Sequence, residues 1–99
     1  MVSNTEEILE LTDQNREIIR GFGVKSLALV GSFARGEQNE SSDVDFIVEF
    51  GKKSFDSFME LVFFLEDLFG REVDLLIADS TRERLKKALL EDAIYVQGL

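Results

Sequence analysis

Apolar positions along the chain fall into blocks that alternate between helical and strand periods. Over residues 4–20, Ile8, Leu11, Ile18 and Ile19 recur near helical spacing, which predicts one amphipathic helix. Ser3 or Asn4, each with a glutamate three residues on, offers an N-cap with a capping box, and Gly21 and Gly23 end the segment. "VKSLALVG" is short and apolar with a glycine stop, so residues 25–30 predict a buried strand. "SFAR" gives a short turn of helix closed by Gly36, and "EQNESS" a polar loop turned by Ser41 and Ser42. "DVDFIVEF" alternates and then runs apolar, a second strand ending at Gly51.

The second half repeats the alternation. Residues 54–69, "SFDSFMELVFFLEDLF", predict a long helix with Ser54 as N-cap and Gly70 as C-cap. Phe55, Phe58, Met59, Val62, Leu65 and Phe69 suit one core-facing stripe. Leu61, Phe63, Phe64 and Leu68 widen the apolar surface beyond it, which leaves part of that surface for a partner or another copy. "EVDLLIA" predicts a third strand. Asp79 or Ser80 caps a last helical segment, with Ser80 and Glu83 at capping-box spacing and Leu85, Ala88 and Leu89 as its stripe. Lys86 and Lys87 read as a solvated face, Tyr95 as a packed aromatic, and the tail "AIYVQGL" fits either period. The expected order is α-β-α-β-α-β-α, an α/β (α+β) fold with a small three-stranded mixed sheet flanked by helices. It occupies one domain over residues 1–99.

Composition narrows the chemistry. Eleven basic and 20 acidic side chains give a net charge of −9. That argues against a nucleic-acid binder, since phosphate contacts need a basic stripe. There is no cysteine and no histidine, so disulfides, thiolate sites, zinc–imidazole chemistry and Ser-His-Asp arrangements are excluded. Any reaction must run on carboxylates, hydroxyls, lysine, arginine or a hard metal ion. The first residues lack the apolar run of a signal peptide, and the longest apolar run, "LVFFL", is too short to span a bilayer. The expectation is a cytoplasmic protein without a membrane partner.

The carboxylates carry the most specific signal. Residues i and i+2 of a strand share a face, so Asp43 and Asp45 point the same way. The helix between strands two and three is a crossover that makes them parallel, which sets Asp74 beside Asp45. An antiparallel first strand would bring Gly31–Ser32 beside Asp43. Glu72 has the same parity as Asp74 but reads as a solvated strand end. Three carboxylates together repel and raise one another's proton affinity unless a cation joins them. Mg²⁺ takes oxygen ligands and shares them with substrate phosphates, and two such ions can clamp an in-line displacement at phosphorus. Gly31 permits close backbone approach to a phosphate, and the helical turn from Ser32 aims N–H groups and a hydroxyl at it.

"GSFARG", a gap of ten residues between Ser32 and Asp43, "SDVDF", and a later strand carboxylate resemble the nucleotidyltransferase superfamily that includes DNA polymerase beta. The brevity of the chain narrows the likeness to minimal nucleotidyltransferases, the MNT antitoxins of HEPN/MNT toxin–antitoxin pairs, and it covers nearly the whole sequence. The resemblance implies an enzyme that transfers AMP from ATP, with two Mg²⁺ ions, to a tyrosine hydroxyl of a HEPN ribonuclease toxin. Pyrophosphate is released and a hetero-oligomer with the toxin is conceivable. It implies that Gly31 and Ser32 hold the triphosphate and that Asp43 and Asp45 bind the metals. Asp74 would complete the catalytic metal site and help deprotonate the hydroxyl. Arg35 reads equally as a phosphate or partner contact and as an exposed helix arginine. Two other functions stay open: a module that neutralises the toxin by masking alone, and a small-molecule nucleotidyltransferase.

Overall fold

The computed structural model describes residues 1–51 and 55–99; the N-cap expected at Ser54 and the inward ring expected at Phe55 lie outside what it describes. Helix α1 (Thr5–Gln14) starts where Asn4 caps it, its side-chain oxygen accepting the Glu7 N–H at 2.9 Å. Glu7 answers by accepting from the Ser3 hydroxyl at 2.8 Å. The capping box is thus shared between Ser3 and Asn4.

The single helix expected over 4–20 is two. Asn15 leaves helical geometry between α1 and α2 (Arg16–Gly21), and its side-chain amide donates to the Leu11 carbonyl at 2.8 Å. Asparagine competes with the helical ladder for backbone partners, and here the competition breaks the helix. The break resets the phase: Ile8 and Ile19 are fully buried, while Ile18, expected on the same stripe, is half-exposed.

Strands β1 (Val24–Val30), β2 (Val44–Phe50) and β3 (Val73–Ile77) confirm the expected strands, shifted by a residue or so at their starts. The tail adds a fourth, β4 (Ile94–Tyr95), so the three-strand expectation is corrected to a four-stranded sheet in the order β3-β2-β1-β4. A two-residue strand carries too little pattern to be legible alone. It forms because β1 offers an open edge, pairing Ala28 with Tyr95 and Leu29 with Ile94. β2 and β3 are parallel, joined through α4 (Phe55–Phe69), and the other pairs are antiparallel.

One sheet face carries the core. Leu27 and Leu29 of β1 and Val44, Phe46 and Val48 of β2 are fully buried. They pack with Ile8, Ile19 and α4, where the Phe46 and Phe69 rings stack at 6.0 Å. The inward line of α4 is Leu61, Leu65 and Phe69, each at 0% exposure. Leu61 therefore belongs to the core rather than to the widening surface. Phe58 and Val62 flank that line, partly buried, and Phe63 stands 60% exposed.

After β3 a 3₁₀ turn (Ala78–Ser80) intervenes before α5 (Glu83–Leu90). Arg82, not Asp79 or Ser80, sits at the N-cap, with no side-chain cap bond. The Ser80–Glu83 box fails because the turn holds both cap candidates, and Ser80 and Asp79 lie two and three residues before the N-cap. α5 has no fully buried residue, and Leu85 is half-exposed.

Candidate active site

The opposite sheet face is built by the alternate residues of each strand. Val30 of β1 pairs with Asp45 of β2, and Asp45 pairs in parallel register with Asp74 of β3. Opposed residues share a face, so both carboxylates project from the side away from the core. Asp43 precedes β2 rather than opening it, and Val44 begins the pairing. The carbonyl of Glu72 accepts the Val44 N–H at 2.9 Å, which closes the ends of β2 and β3 together. Gly31 starts the short helix α3 (Gly31–Arg35) directly after β1. Its φ is +74°, and a Cβ there would overlap the Asp45 carboxylate. Glycine is required at this point both for the backbone angle and for the close approach of the acid.

Asp45 is half-buried, and its proton affinity is raised above that of an ordinary aspartate. Burial is the largest cause, followed by the negative charges of Asp74 and Asp43; the Arg35 guanidinium opposes them. Glu72 precedes β3, whereas Asp74 is in register with Asp45, so Asp74 is the third acid of the cluster. The structure thus assembles Asp43, Asp45 and Asp74 as one electrostatic group at one end of the sheet, with Gly31 against it. Ser32 follows Gly31 as the second residue of α3, partly exposed. Arg35 lies in reach of Asp45 as a charge, but its Nε is held by Glu37 at 2.7 Å.

One contributor was missed in the sequence. Arg71 donates to the carbonyls of Glu40 and Ser42 at 2.9 Å and of Val2 at 2.7 Å, and its guanidinium lies 5.2 Å from the Phe33 ring centre. It ties down the loop that delivers Asp43. An asparagine turn completes that loop, with Asn39 accepting from the Ser41 N–H at 2.9 Å and the Ser42 hydroxyl accepting from the Asn39 N–H at 2.9 Å.

Among the described residues, no group of three or more acidic side chains is drawn together closely enough to hold a metal ion by itself. The donor set is nevertheless that of a hard cation: carboxylates only, one of them held against its own ionisation by burial and by its neighbours. Mg²⁺ commonly binds through one or two carboxylates and completes its shell with water and substrate phosphate. The residues fit an ion that arrives with a phosphate ligand and do not form an all-protein cage.

Residues 8–96 match the nucleotidyltransferase domain family. The chain is 43% identical to a candidate protein adenylyltransferase of Methanocaldococcus jannaschii, over 91% of this chain and 95% of that one. It is 39% identical to the protein adenylyltransferase MntA of Thermococcus cleftensis, over 87% and 88% of the two chains. Among solved structures, a candidate minimal nucleotidyltransferase superposes with a TM-score of 0.82 at 28% identity, covering 93% of this chain and 95% of that one. The fold also matches, at a TM-score of 0.66 and 18% identity, a chain from the complex of the tri-AMPylated Shewanella oneidensis HEPN toxin with its MNT antitoxin. That match covers 92% of this chain and 73% of the other.

Proposed function

The chain belongs to the nucleotidyltransferase domain family, and from that premise we propose that it is an antitoxin that transfers AMP from ATP to a tyrosine hydroxyl of a HEPN ribonuclease toxin. The observation that carries the reading is the Asp45–Asp74 register beside Gly31, with Asp45 held reluctant to ionise by its burial and by Asp74 and Asp43. Such a cluster costs stability unless positive charge enters it. The names of the similar proteins supply the group transferred, and the complex sharing this fold suggests the acceptor.

In this reading Gly31 and Ser32 bind the triphosphate through backbone N–H groups and the serine hydroxyl. Asp43 and Asp45 would hold Mg²⁺ together with the phosphates. Mg²⁺, when bound with the nucleotide, supplies the positive charge that stabilises the phosphates and the entering oxygen. Asp74 accepts the proton of the tyrosine hydroxyl, whose unperturbed pKa of ~10 makes it a weak nucleophile at neutral pH. The hydroxyl oxygen bonds to the α-phosphorus, the bond from that phosphorus to the bridging oxygen breaks, and pyrophosphate leaves. Arg35, freed from Glu37, would meet a phosphate.

Purified chain incubated with labelled ATP, Mg²⁺ and the HEPN partner tests this. Label on the partner from wild type and none from Asp45→Asn is expected. Equal label from both, or none from wild type, rejects catalysis. If Asp43→Asn and Asp45→Asn still neutralise the toxin in cells, masking is the function instead.

A further inference from the structure

The sheet face that carries Asp45 continues along β2 to Ile47 and Glu49, and a recess of about 160 Å³ lies between this face and α5. Ala28 and Ile47, paired across β1 and β2, supply an apolar floor. Tyr95 of β4, paired with Ala28, puts a half-exposed aromatic ring on its wall, and Leu90 of α5 lines it too. Glu49 brings a carboxylate whose one side-chain partner among the described residues is the Ser26 hydroxyl, at 3.5 Å. The recess is too small for a whole drug-sized ligand, whose pockets run about 300–1,000 Å³. Lys86 of α5 lines the recess as well, so its walls are mixed. It has the size of a slot for one flat ring, with apolar side chains, an aromatic ring, an ammonium and a carboxylate that can accept from an exocyclic amine. Ile47 lies two residues from Asp45, roughly 7 Å along the strand, a distance a ribose can bridge.

We infer that the recess between α5 and the β1–β2 face binds the adenine base of the nucleotide whose phosphates lie at Asp45. The inference rests on the adenylyl-donor reading above. It adds a base-recognition site on this chain's own sheet, made by residues outside the Gly-Ser and acidic motifs.

Equilibrium binding of ATP and of inorganic tripolyphosphate, each with Mg²⁺, to wild type, Tyr95→Ala and Ala28→Leu tests it. Loss of base stacking should weaken ATP binding about tenfold in Tyr95→Ala. Filling the floor in Ala28→Leu should do at least as much, and neither change should alter tripolyphosphate affinity. Tyr95 sits half-exposed on an edge strand, so Tyr95→Ala keeps the test intact if Ala28→Leu does not fold. ATP affinity unchanged in Tyr95→Ala overturns the inference. Wild type binding ATP no more tightly than tripolyphosphate overturns it as well, while leaving the phosphate site standing. Failure of wild type to bind either ligand overturns both this inference and the proposed function.

Discussion

Asp45 stands half-buried against Gly31, where even a methyl group would collide with its carboxylate. Gly31→Ala must therefore either push Asp45 aside or abandon a φ of +74°. Denaturant unfolding should show a loss of at least 1–2 kcal/mol, and Mg²⁺–ATP binding should fall with it. The raised proton affinity of Asp45 has a signed consequence. Between its unfolded and folded pKa values the native state holds more protons, so stability falls as pH rises through that interval. The penalty is complete above it. Asp45→Asn should accordingly raise the melting temperature of the cation-free protein at pH 7 by a few degrees, and the gap should shrink as pH drops through that interval. An Asp45→Asn variant less stable than wild type at pH 7 would contradict the electrostatic account. Asp45 and Asp74 were legible as a pair because a crossover helix makes their strands parallel, whereas Asp43 lies in the loop before β2, outside the strand parity expected of it. Arg71 was not legible, because its partners are backbone carbonyls distant in sequence. Arg71→Ala should leave Asp45 in place yet loosen the loop before Asp43. Hydrogen exchange of residues 39–42 would report this as faster exchange, with Mg²⁺–ATP affinity reduced.

At the scale of elements, strands with long apolar runs announced themselves and short or interrupted elements did not. β1, β2 and β3 are each set by a run that only a sheet can bury, but β4 exists through its pairing with β1. The break at Asn15 was illegible because the apolar spacing on either side still resembles one helix, while the side chain that competes with the backbone decides otherwise. α4 is apolar over so much of its circumference that periodicity could not single out its inner line. The structure selects Leu61, Leu65 and Phe69 and leaves Phe63 out. Leu61→Ala should cost about 2–5 kcal/mol in denaturant unfolding. Phe63→Ser should change stability by no more than roughly 0.5 kcal/mol. Reversed magnitudes would mean that α4 presents a different face to the sheet.

Over the whole molecule, the net charge of −9 includes the exposed Asp43 and Asp74 and the half-buried Asp45, and the uncompensated charge favours any state that recruits a cation. Phe63, Ile18 and Leu85 are large apolar residues left exposed. No helix among the described residues is long and apolar enough to cross a membrane. In the proposed function the acidic end carries the chemistry, and the exposed apolar positions are available to a second protein. The central claim is that the acidic end does chemistry on that partner. Intact mass of the HEPN protein, co-expressed with wild type and with a chain carrying Asp43→Asn and Asp45→Asn, tests this most directly. The account predicts a mass raised by one or more AMP units with wild type and an unmodified mass with the double variant; an unmodified partner in both, recovered bound and inactive, would contradict it.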